Sequence, residues 1–111
     1  ADMQRYTDAL EAQLTQRWPE ARLVVFGHLG DGNLHISVSV GSAEVEVRRE
    51  VEAMVYQPLA ALGGSVSAEH GIGLEKRPWL STCRSSAEIA LMQSLKQALD
   101  PLNLLNPGKV L

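Results

Sequence analysis

Residues 22–40 read RLVVFGHLGDGNLHISVSV, and how this stretch is parsed decides the fold. Arg22 to Phe26 is a compact apolar run rich in Val. Further on, Leu34, Ile36, Val38 and Val40 alternate with His35, Ser37 and Ser39, the period-two pattern of a strand with one buried face. Between the runs, Asp31-Gly32 is a strong hairpin signal, because a type I′ turn needs positive φ at both central residues. An antiparallel hairpin closed by a two-residue turn is therefore expected. In that register paired positions sum to 63, which sets His28 directly across from His35, with β-carbons roughly 4.5–5.5 Å apart.

Upstream of the hairpin, Met3, Tyr6, Leu10, Leu14 and Trp18 recur at helical spacing, which predicts a helix over 3–17 stopped by Pro19. Downstream, Ser42 is expected to start a helix whose apolar face is Val47, Val51, Met54, Val55, Leu59 and Leu62, with a kink at Pro58. Gly63-Gly64 ends it, 65–67 is a short strand candidate, and 69–73 is a glycine-rich loop. Ser85 and Glu88 have capping-box spacing ahead of an apolar face of Ile89, Met92, Leu95 and Leu99, closed by Asp100-Pro101. Leu102 to Leu111 reads as a tail lying on a surface.

The expected class is α+β, with helices on an antiparallel sheet. The plan is a ferredoxin-like split βαββαβ lacking its first strand, followed by C-terminal helical segments and a tail. The missing strand, and a helical pattern that begins almost at Ala1, point to a piece of a larger protein.

The chain has 111 residues, 45% apolar and 21% charged, with a net charge of -3, which suits one ordinary globular domain. Scattered cations on a mildly acidic chain give no basis for a nucleic-acid partner. Cys83 is the only cysteine, so an internal disulfide is impossible and a reducing compartment fits best. No apolar run reaches the length of a membrane span.

All three histidines fall in two glycine-flanked segments, Gly27 to His35 and Ser67 to Gly73. Two imidazoles on one hairpin plus the Glu69 carboxylate would make a three-ligand site with an open position. That pattern is typical of catalytic Zn²⁺ and accessible to Mn²⁺ or Fe²⁺. The competing reading makes His28 and His35 hydrogen-bonded residues at strand ends. Asp31 reads better as an Asx-turn residue than as a ligand. Glu69 and His70 are neighbours that point to opposite faces in extended backbone, so they should have different roles, with His70 open to act as a general base. Gly71-Ile72-Gly73 lacks the strand-glycine-helix context of a dinucleotide fingerprint. Lys76 and Arg77 could attract an anionic substrate, or could simply be solvated.

At these residues the sequence resembles the C-terminal domain of FAD-linked oxidases, a family that includes D-lactate dehydrogenase, the glycolate oxidase flavin subunit and D-2-hydroxyglutarate dehydrogenase. Gly27 to His35 looks like the first metal-binding motif of that family, and Glu69 to Gly73 with Lys76 looks like the second. Asn106 to Leu111 resembles its usual C-terminal ending.

The resemblance implies an enzyme that oxidises a D-2-hydroxy acid of D-lactate or glycolate type. His28, His35 and Glu69 would hold a divalent metal, often zinc, and His70 would take the hydroxyl proton as hydride goes to flavin. Asn33, Lys76, Asn106 and Lys109 are further candidates to face substrate or flavin. Residues 1–111 would then be the substrate and metal part of a longer enzyme. FAD would be held by an N-terminal flavin-binding domain outside this chain, and the isolated chain would be inactive. Ser37 stands where D-2-hydroxyglutarate dehydrogenase has an asparagine touching substrate, which weakens the case for hydroxyglutarate. The location implied is cytoplasmic, or at the membrane periphery through an electron acceptor. Two other functions compete: a free-standing divalent-metal hydrolase and a non-catalytic interaction domain.

Overall fold

The computed structural model describes residues 2–28 and 30–111, which divide into two units, Ala1–Pro58 and Leu59–Leu111. The class is α+β, as the sequence pattern requires.

In the first unit, α1 (Asp2–Arg17) leads into an antiparallel pair of strands, β1 (Arg22–His28) and β2 (Asn33–Ser39), and α2 (Val45–Tyr56) follows. Tyr6, Leu10 and Leu14, one turn apart on α1, are buried, and α1 packs on both β1 and α2. The Tyr6 hydroxyl donates to the carbonyl of Val55 at 2.7 Å, joining the two helices. Burial raises the Tyr6 phenol to about 12, chiefly because the phenolate would lose its water. Leu23, Val25, Leu34, Ile36 and Val38 share one half-buried face of the strand pair, while Val24 and Phe26 lie exposed on the other.

The α2 helix begins at Val45 rather than Ser42. The Ser42 hydroxyl accepts from the Glu44 amide at 3.3 Å and so closes a turn outside the helix. Pro58 separates α2 from α3 (Leu59–Leu62), as its missing amide dictates.

In the second unit, α3 packs against α4 (Leu80–Cys83), which a 3₁₀ turn at Arg77–Trp79 precedes, and α5 (Ser86–Leu99) follows. Val66 and Leu80 are its buried apolar residues. The predicted strand at 65–67 does not form. The Ser65 hydroxyl accepts from the Ser67 amide at 3.4 Å and donates to its carbonyl at 3.0 Å, which bends the chain where a ladder would need it straight. The expected α5 capping box is present, with the Ser85 hydroxyl accepting from the Glu88 amide and the Glu88 carboxylate accepting from the Ser85 amide. That carboxylate is held below its ordinary value by the Ser85 amide and hydroxyl. The apolar stripe of α5 is not buried: Leu95 is 53% and Leu99 80% exposed, because no element of this unit packs extensively along it.

Candidate functional site

The hairpin places its histidines differently from the two-residue-turn expectation. Phe26, not His28, stands opposite His35, and His28 pairs with Asn33, so paired positions sum to 61. The cause is Asp31. Its carboxylate accepts from the Asn33 amide at 3.2 Å, an Asx turn that keeps Asp31 out of the positive φ a type I′ turn needs, while Gly32 sits at φ 71. The connection between His28 and Asn33 is therefore longer than the two residues expected.

The two histidines still meet. Their positions are diagonal on one face of an antiparallel pair, within reach of long side chains. The ring centroids are 6.3 Å apart with planes at 71°, and a nitrogen of each ring lies within 4.8 Å of the other. Two nitrogens bound to one tetrahedral zinc stand roughly 3.4 Å apart, so a small ring rotation suffices to share an ion. Neutral imidazoles suit Zn²⁺, Mn²⁺ and Fe²⁺ alike, and this pair fits half of a divalent-metal site. Asn33 is buried beside the turn, and Ser37 lies exposed on the same face as the histidines. Phe26 carries no signal in the sequence reading, yet its ring stacks on His35 with centroids 5.0 Å apart and planes at 11°.

In the second unit, Glu69 and His70 lie exposed on the loop that leads to Gly71 and Gly73, both with positive φ. This loop and the tail, separate motifs in the sequence, are bonded together. The Gly73 carbonyl accepts from the Val110 amide at 3.0 Å, and Arg77 Nη1 donates to the Gly108 carbonyl at 2.8 Å. Arg77, though exposed, therefore clamps the tail. Lys76 is half-buried, its amide donating to the Ile72 carbonyl at 3.2 Å. Asn106 takes φ 49 in the tail turn and its carbonyl accepts from the Lys109 amide at 3.2 Å, so both belong to the backbone that wraps toward Gly73.

Asp100 organises the start of the tail. It is 8% exposed, pairs with Lys96, and accepts from the amides of Leu104 at 2.8 Å and Leu105 at 2.9 Å. The Lys96 ammonium, followed by the Leu105 amide, holds its carboxyl down at about 2.

Residues 1–110 match the family described as FAD linked oxidases, C-terminal domain. The chain belongs to that family. Among its relatives, a D-2-hydroxyglutarate dehydrogenase of Xanthomonas citri pv. viticola is 47% identical over 90% of this chain and 22% of its own length. The mitochondrial D-2-hydroxyglutarate dehydrogenase of Rattus norvegicus is 42% identical over 98% of this chain and 21% of its own length. A Schizosaccharomyces pombe protein provisionally named a mitochondrial D-lactate dehydrogenase is 40% identical over 86% of this chain and 18% of its own. The chain thus spans about a fifth of the length of these relatives. No helix among the described residues is long and apolar enough to cross a membrane.

Proposed function

We propose that this chain is the substrate and metal part of an FAD-dependent dehydrogenase that oxidises a D-2-hydroxy acid, with FAD held by a separate flavin-binding domain. The observation that carries the reading is the His28–His35 pair, its ring nitrogens within 4.8 Å of each other on one strand face, with His28 exposed and His35 half-buried, in a chain of the FAD-linked oxidase family.

In this reading His28, His35 and Glu69 hold a divalent metal, zinc in the first instance. When bound, the metal would supply Lewis acidity at the substrate hydroxyl oxygen, and a flavin would supply the hydride acceptor. His70 accepts the hydroxyl proton as the general base. Asn33, Lys76, Asn106 and Lys109 are secondary candidates for contact with substrate or flavin. Their backbone roles in the turn and the tail support a structural part for Asn106 at least. Ser37 on the histidine face supports a short substrate, D-lactate or glycolate, whereas the names of the most similar relatives support hydroxyglutarate. The single cysteine is in keeping with a cytoplasmic location. Family membership speaks against a free-standing hydrolase.

The test uses the full-length protein. Anaerobic flavin bleaching by D-lactate, glycolate and D-2-hydroxyglutarate should identify at least one reductant, and His70→Ala should slow that reduction by about 10²–10⁴-fold. Chelation by EDTA should abolish turnover, and Zn²⁺ should restore it. Flavin left oxidised by all three acids, or reduced at the wild-type rate in His70→Ala, refutes the reading.

A further inference from the structure

We infer that Phe26 is a positioning residue for His35, holding the imidazole plane in the orientation that metal binding requires. The inference rests on the metal reading given above.

Phe26 is the direct cross-strand partner of His35, and the two rings lie nearly parallel, 5.0 Å apart with 11° between their planes. Core packing does not account for the phenyl group, which is 61% exposed. What the ring covers is one face of His35. An imidazole has a broad preference about its second side-chain torsion, and an aromatic ring stacked on one of its faces narrows the planes open to it. A metal binds the nitrogen lone pair in the plane of the ring. Fixing the plane therefore fixes the direction along which the nitrogen can donate. The His28 ring stands at 71° to that plane and a nitrogen of each ring lies within 4.8 Å of the other, so the plane stacked on Phe26 is the one from which His35 would reach an ion shared with His28. An aromatic one strand across from a ligand thus does what a hydrogen-bonding carboxylate commonly does for a metal-bound histidine.

The experiment measures Zn²⁺ affinity of the full chain by competition with a chromogenic chelator, together with the visible spectrum of the Co²⁺-loaded protein. Phe26→Leu should weaken Zn²⁺ binding roughly three- to tenfold, the range expected from an offset-stacked pair, and should shift the Co²⁺ bands. Phe26→Tyr, which keeps the ring, should bind within about twofold of wild type. The metal-free melting temperature of each variant separates a positioning effect from a folding defect, and Phe26→Val, suited to a strand, replaces Phe26→Leu if the latter does not fold. Wild-type affinity in Phe26→Leu, or equal losses in Phe26→Leu and Phe26→Tyr, overturns the inference alone. A wild-type chain that takes up no more Zn²⁺ than His35→Ala overturns the metal reading and this inference with it.

Discussion

Gly27→Ala should be among the most damaging single-methyl changes in the hairpin. Gly27 lies in β1 at φ 153, opposite Leu34, and a β-carbon there would stand 2.1 Å from the Asn33 carbonyl oxygen and 3.1 Å from both Asn33 C and Leu34 Cα. All three are backbone atoms, so no side chain can swing away. Reaching even 3.0 Å would take a retreat of roughly 1 Å, which separates the strands beside the histidine pair. Overpacking of this kind costs about 1–3 kcal/mol, and an alanine held at this φ adds about 1–3 kcal/mol. Together they make about 2–6 kcal/mol, which lowers Tm by upwards of about 8 °C in a chain of this size. Thermal and urea unfolding followed by circular dichroism measures it, with Gly30→Ala as the control because nothing lies within 4 Å of that added carbon. A Gly27→Ala protein that melts within about 3 °C of wild type refutes the close-approach argument.

Three further outcomes are expected. Tyr6→Phe removes the bond to the Val55 carbonyl and should cost about 1 kcal/mol in urea unfolding at pH 7. The folded phenol ionises near 12 against the ordinary 10.0, so the stability it lends is complete below pH 10 and fades as pH rises toward 12, a loss that Tyr6→Phe should blunt. Asp100 has its folded value near 2 against an ordinary 3.8, so its contribution is complete above pH 4 and is lost as pH falls through 2; acid titration of Asp100→Asn should show a flatter decline than wild type. Ser85→Ala should destabilise α5 by about 1 kcal/mol, and Ser85→Thr should recover most of it in thermal unfolding.

The elements were largely legible because each is set by local chemistry. The spacing of Tyr6, Leu10 and Leu14, the alternation in β2, the break at Pro58 and the Ser85–Glu88 cap are all short-range and all recovered. The errors occur where a polar side chain competes for backbone groups. Asp31 bonded to the Asn33 amide changes the hairpin register by two, and Ser65 bonded to residue 67 replaces a strand by a bend. The candidate site shows the same division. The histidines and their shared face could be read from sequence, but the Phe26 stack depends on the shifted register, and the Arg77 clamp depends on a tail that returns from far along the chain. The α5 stripe shows the limit of periodicity: Leu95 and Leu99 recur correctly, yet the pattern says nothing about whether a partner lies within the same unit.

Val110 adopts φ 76, a conformation that a β-branched residue enters only under constraint, while its amide is bonded to Gly73. The shape of the loop carrying Glu69 and His70 is thus encoded at two distant addresses in the gene. A substitution that relaxes Val110 would therefore loosen that loop without touching any of the loop's own residues.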